Sequence, residues 1–270
     1  MGPSIFQLSR RAALLAAALA LAGCAGLGTG QPSTGKTINV MTSGGFTAAY
    51  NELTPAFEKS TGYKVQTAYG ASMGAASDSI PSRLARGEPA DIVILARPAL
   101  DALVTQGKVI PGSQVDLVRS SIGLAVRKGT PKPDISTVDA LKRTLIAAPS
   151  IAYSASASGT YYETEMLKDL GIEDQVKPKS KRILSERVGT VVARGDAALG
   201  LQQVSELLPI EGIDFIGVLP AAVQRVTIFS AGVSTSSKDP AAARQLIQYF
   251  NSPSAAPTIR KTGLEPIVAP

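Results

Sequence analysis

The chain has 270 residues, 44% of them hydrophobic, and a formal charge of +6, which suits one large domain or two lobes around a real core and argues against a disordered chain. It holds no histidine, no tryptophan and a single cysteine. An internal disulfide and any Ser-His-Asp or Cys-His nucleophile system are therefore excluded, zinc and copper sites nearly so, and no metal or cofactor is expected.

The N-terminal stretch reads as an export signal. Arg10 and Arg11 precede an apolar run, Ala12 to Ala22, that is too short to span a membrane. "LAGC" (21–24) looks like a lipobox, which makes Cys24 the expected lipidation site, and Ser9-Arg10-Arg11 resembles a twin-arginine signal. Residues 25–35 read as a Gly/Ser/Pro tether. With residues 1–24 removed, the charge falls by the two arginines to about +4. That mild surplus suits a small anionic ligand better than nucleic acid. The basic run "KPKSKR" (177–182) has no interleaved aromatics and reads as a solvated turn. Gly30 to Thr37 matches a phosphate-loop pattern letter for letter, but a tether precedes it and a strand follows, the reverse of what such a loop needs.

Strands and helices then alternate. "TINVMTS" predicts a strand and 47–60 a helix with Tyr50, Leu53 and Phe57 on one face, stopped by Gly62. "KVQTAYG" predicts a half-buried strand, 71–88 a helix, and the unbroken apolar run "ADIVILA" (90–96) a strand covered on both faces. A short helix follows to Gly107, then a strand over 121–129 and a helix opened by Ser136 and Asp139. "SIAYS" (150–154) is a strand leading to a helix with Met166, Leu167 and Leu170. A helix near 186–194 precedes "AALGLQQV" (197–204), "RVTIFSAGVS" is a late strand, and Asp239-Pro240 caps a helix carrying Ala243, Leu246, Ile247 and Phe250. Repeated β-α units predict an α/β fold with mostly parallel sheets and helices on both faces. Ligands in such folds bind at the carboxyl ends of strands.

Four corners lie at such ends and are rich in glycine and hydroxyls. They are Thr42-Ser43-Gly44-Gly45, "YGASMGAAS" (69–77) with Ser72, "YSASASGT" (153–160) with Ser154, Ser156, Ser158, Gly159 and Thr160, and "LSER" (184–187) with Ser185. Each offers amides or hydroxyls to an oxyanion without a metal.

"INVMTSGGFTAAYNELTPAFEKSTG", "RLARGEPADIVILA" and "RGDAALGLQQVSEL" make the chain from about Thr37 to Gly263 resemble a bacterial periplasmic solute-binding protein, of the group that includes molybdate-binding proteins. The resemblance implies a type II periplasmic-binding fold: two α/β lobes joined by two crossing strands, near 118–126 and 224–232, that close on a ligand. Lobe 1 would hold 36–118 plus 229–270, and lobe 2 would hold 119–228. It further implies a monomer working with the membrane subunits of an ABC importer, exported and held at the membrane by the lipid on Cys24. Where molybdate binders carry a serine, an acidic residue and a tyrosine, this chain has Gly45, Arg97 and Gln203. Arg97, Gln202 and Gln203 suit a planar carboxylate, and in a strand one of the two glutamines must point away.

The "SGGF", "YSASASG" and "GLQQVSELLPI" segments are also similar to a branch of this fold that includes periplasmic aconitate isomerase, which moves a proton across a three-carbon unit to interconvert trans- and cis-aconitate. On that reading Arg97, Arg187 and Gln203 would hold carboxylates, and a Lys, Glu or Tyr, for example Tyr161 or Glu186, would serve as the base. Capture of a small carboxylate for import is thus the first expectation. The isomerase is the alternative, and a molybdate or tungstate receptor is third.

Overall fold

The computed structural model describes residues 36–268. The expected export signal, Cys24 and the tether 25–35 lie outside the described residues.

The chain enters as β1 (Thr37–Thr42), whose last three residues are buried. One extended residue, Ser43, separates it from α1 (Gly44–Thr61). Buried Phe46, Ala49, Tyr50, Leu53 and Phe57 recur at helical spacing on α1, which stops at Gly62 with φ of 77°. After β2 (Lys64–Tyr69) the expected helix over 71–88 shrinks to α2 (Ile80–Ala85). The hydroxyls before it compete for backbone groups: Ser79 Oγ donates to the Gly74 carbonyl, and Ser72 Oγ accepts from Ala96 N–H. β3 (Ile92–Ala96) is buried at every position, as the apolar run predicts, and leads straight into α3 (Arg97–Thr105).

β4 (Val115–Ser120) and β5 (Ile122–Arg127) are separated by Ser121 alone. α4 (Val138–Ala147) is capped by Thr137 rather than Ser136, since the Thr137 hydroxyl accepts from Ala140 N–H. β6 (Ile151–Ser154) precedes α5 (Ala157–Tyr161), which continues through a π-helical stretch, Tyr162–Met166, into α6 (Leu167–Asp169). α7 (Glu173–Val176) then leads to β7 (Ser180–Ile183). The segment read as a solvated turn thus contributes an edge strand on which Lys181 and Arg182 stay exposed. α8 (Val188–Arg194), β8 (Leu199–Gln203), α9 (Val204–Leu207) and β9 (Ile213–Val218) follow. β10 (Thr227–Val233), α10 (Pro240–Phe250), α11 (Ala256–Lys261) and the two-residue β11 (Glu265–Pro266) complete the described chain. Asp239 caps α10 as expected, its carboxylate accepting from Ala242 N–H.

Two sheets result. One has the order β11-β4-β10-β3-β1-β2, the other β7-β6-β8-β5-β9. The chain leaves the first sheet at Ser121 and returns between β9 and β10, so two crossings join the halves. The α/β class and two-sheet plan hold. The sheets are mixed rather than mostly parallel: β1, β2 and β3 run parallel, as do β6, β7 and β8, while every pairing of β4, β5, β9, β10 and β11 is antiparallel. The crossings cause this, because strands that cross back enter each sheet from the opposite end. Each half has its own core, Phe46, Phe57, Ile94, Phe229 and Phe250 in the first and Leu124, Tyr162, Met166 and Leu201 in the second.

Candidate functional site

Between the two sheets lies a cleft of about 370 Å³, built at the carboxyl ends of β1, β2, β6, β7 and β8. The first half supplies Gly44, Thr47, Asn51, Tyr69, Gly70 and Asp78. The second supplies Ser154 from the end of β6, Ser156, Ser185, Glu186 and Arg187 on its loops, then Gln202 and Glu206 from β8 and α9.

Several expected residues meet here. Gly44, Ser154, Ser156, Ser185 and Arg187 line one space, and Arg187 makes no ion pair among the described residues. The rim is bridged between the halves, with Ser72 N–H donating to Ser156 Oγ at 3.2 Å and the Thr160 hydroxyl donating to Met73 Sδ at 3.5 Å. Ser154 and Ser158 share a hydrogen bond of 3.2 Å, and Ser158 is only 2% exposed. Ser43 is sealed at the start of α1 with its Oγ unpartnered.

Other expected residues are engaged elsewhere. Arg97 donates through Nε to Asp101 at 2.9 Å and through a terminal nitrogen to Asp116 at 2.7 Å, away from the cleft lining. Gln203 donates to the Thr227 hydroxyl at 3.0 Å where the chain returns to the first sheet. Successive strand residues face opposite sides, so Gln202 is the amide turned to the cleft. Gly45 and Gly159 are packing glycines. A Cβ at Gly45 would fall 2.1 Å from the Phe229 ring, and one at Gly159 would fall 1.6 Å from the Ser154 carbonyl oxygen. A serine at position 45 therefore has no room beside Phe229.

Neither expected base is poised to act. The Tyr161 hydroxyl donates to the Val223 carbonyl at 3.0 Å, outside the lining, and burial pushes its pKa up. Glu186 does line the cleft, but both its oxygens accept from the Arg194 guanidinium, which holds the carboxyl below its usual range. Such an ion-paired carboxylate is a weak base.

The residue not foreseen is Glu206. It is 9% exposed, and burial raises its pKa to about 7, against smaller opposing pulls from Arg187 and from a Gln202 hydrogen bond. Gln202 Nε2 donates to its Oε1 at 2.9 Å. Gly44 leaves it room, since a Cβ there would lie 2.0 Å from Oε1. The adjacent Ser205 hydroxyl donates to the Gly45 carbonyl at 2.7 Å, tying α9 to the start of α1. A carboxyl that exchanges its proton near neutrality beside a free arginine and a ring of hydroxyls can both grip an anion and move a proton. The sequence does carry a signal, a single acid in the buried run "LGLQQVSEL" (199–207), four residues past Gln202.

The chain is 45% identical over 269 residues to aconitate isomerase from Pseudomonas sp, covering 100% of this chain and 99% of the relative. Its fold matches the periplasmic molybdate-binding protein of Azotobacter vinelandii with a TM-score of 0.69 at 22% identity, over 86% of this chain and 99% of the other. It also matches the sulfate-binding protein SubI of Mycobacterium tuberculosis with a TM-score of 0.68 at 21% identity, over 86% and 87%. The family described as bacterial extracellular solute-binding protein matches residues 38–265, and with the site lying where its two sheets face each other, the chain belongs to that family.

Proposed function

We propose that this protein is an isomerase of the aconitate type, shifting a proton along an unsaturated polycarboxylate held between its two halves. The observation that carries the reading is Glu206, a buried carboxyl with a pKa of about 7 lining a cleft of anion-accepting groups. The 45% identity to aconitate isomerase along the whole chain supports it. Arg187 and the hydroxyls of Ser154, Ser156 and Ser185 would hold the carboxylates, and Glu206 would remove a methylene proton. The electron pair then spreads over the three carbons and the attached carboxylates. Proton return to the former alkene carbon moves the double bond by one position, with nothing gained or lost.

The second reading is a receptor that closes on a small carboxylate and delivers it to ABC importer subunits, anchored outside the cytoplasm through Cys24. The likeness in fold to molybdate- and sulfate-binding proteins favours it. In either case the halves would act as lobes divided near 118 and 228.

Incubation with trans-aconitate, followed by NMR for cis-aconitate, tests the proposal. Turnover lost in Glu206→Gln supports the enzyme. Thermal stabilisation without turnover would leave only the receptor. Stabilisation by molybdate alone would remove the carboxylate from both readings.

A further inference from the structure

The amide of Gln202 is itself held in one orientation. Its Oε1 accepts from Val188 N–H at 2.9 Å. A backbone N–H can only donate, so the carbonyl of the amide must be on that side and the NH2 must face Glu206. There Nε2 donates to Glu206 Oε1. A carboxyl oxygen that accepts this bond is the carbonyl-like oxygen, so a proton on Glu206 belongs on Oε2. Oε2 has no hydrogen-bond partner among the described residues, yet it is not one of the sealed side-chain atoms. In a residue that lines the cleft, it is the oxygen left open to a ligand. Two other carboxyls line the cleft: Glu186, locked by Arg194, and Asp78, across the cleft on the first half, whose Oδ1 is sealed from solvent. Tyr69 at the rim spends its hydroxyl hydrogen on Asn51 Oδ1 at 2.8 Å.

We infer that Gln202 is a positioning residue that commits a single oxygen, Glu206 Oε2, to both halves of the proton shift, so that the proton taken from the methylene returns to the same substrate molecule. This rests on the isomerase reading above. One C–H bond breaks at the methylene and its proton goes to Oε2. The electron pair shifts across the three carbons, and the same proton forms a C–H bond at the former alkene carbon. No second base, oxidant or water is needed, and a carboxyl 9% exposed has little contact with water during the exchange.

The test uses trans-aconitate carrying two deuteriums on its methylene, in ordinary water, with product mass read at low conversion. Return of the label gives product with two deuteriums, and exchange with water gives product with one. Most of the product is expected to keep both. Turnover in which essentially all product carries one deuterium overturns the inference while leaving the isomerase standing. Absence of any turnover sinks the isomerase instead. In Gln202→Met the retained fraction should drop several-fold, and the pH midpoint of kcat/KM should rise, because the lost amide bond favours the charged carboxylate. Unchanged retention and midpoint in a variant with wild-type melting would show that Gln202 positions nothing. Should that variant not fold, the label result on the wild type still decides. Asp78→Asn is expected to keep the label pattern. Turnover surviving only with Asp78 present, with the label lost, would assign the second half of the shift to Asp78.

Discussion

The two halves spend their arginines differently. Arg97 follows buried β3 in the first half, and Arg187 precedes α8 in the second on the loop after edge strand β7, so both lie past the carboxyl end of a strand. Arg97 is neutralised by Asp101 and Asp116, and Asp116 is itself bonded to the Ser230 hydroxyl at 2.6 Å. Arg187 makes no ion pair among the described residues, and its charge pulls down the pKa of buried Glu206. The same residue type at comparable ends of two sheets is a fold clamp in one case and a free cation in the other. What decides is whether the neighbouring helix and strand offer carboxylates. An arginine at a strand end is informative only once its partners are known.

The comparison is sharpened most strongly at Glu206. Glu206→Gln keeps the shape and removes the base, so turnover of trans-aconitate should fall by about 10²–10⁴-fold while thermal stabilisation by the ligand persists. Loss of binding in step with turnover would instead give the residue a holding role.

The stability of that variant should move the other way. Folding raises the Glu206 pKa from 4.5 to about 7, so the folded protein holds a proton that the unfolded chain releases between those values. Burial of the charge costs nothing below pH 4.5 and its full amount above pH 7. Urea unfolding should find the wild type losing about 3 kcal/mol against Glu206→Gln between pH 4 and 8, an order-of-magnitude figure from the shift. By the same titration, kcat/KM should climb as pH rises towards about 7 and level off above it.

The arginines should then separate. Arg187→Ala is expected to raise KM by about 10–100-fold, as removal of a charged hydrogen-bond donor does. Gly44→Ala must displace the Glu206 carboxyl and should lower kcat by about tenfold, with a smaller change in KM. Arg97→Ala should leave both constants within about twofold and cost about 0–1 kcal/mol, since its guanidinium side chain is over a third exposed. Equal kinetic losses at Arg97 and Arg187 would erase the distinction between clamp and free cation.

Most of the fold was legible because burial repeats with the period of each element. "ADIVILA" is apolar throughout and forms β3, and Asp239-Pro240 starts α10 where the cap pattern puts it. What stayed hidden depends on partners remote in sequence. β7 reads as a charged turn because an edge strand leaves Lys181 and Arg182 in water. The helix over 71–88 fails because Ser72 is claimed by Ala96, twenty-four residues away. The corners at Gly44, Ser154, Ser156, Ser185 and Arg187 were readable from strand-to-helix position, and they do line one cleft. Arg97, Gln203, Tyr161 and Glu186 were ambiguous for one reason: a polar side chain does not announce in sequence which neighbour will satisfy it. Glu206 escaped because a buried acid in a four-residue helix looks, in isolation, like any surface glutamate.

The tie between Ser205 and Gly45 would fix where Glu206 stands if the halves parted as lobes. Such a parting would have to break the bond from Ser72 to Ser156, which also joins the halves. α9 is stitched to α1 near the crossings, so Glu206 rides close to the fulcrum and not out on a jaw. A departing product would sweep past it while the carboxyl keeps its dry seat, ready for the next molecule without rebuilding its surroundings.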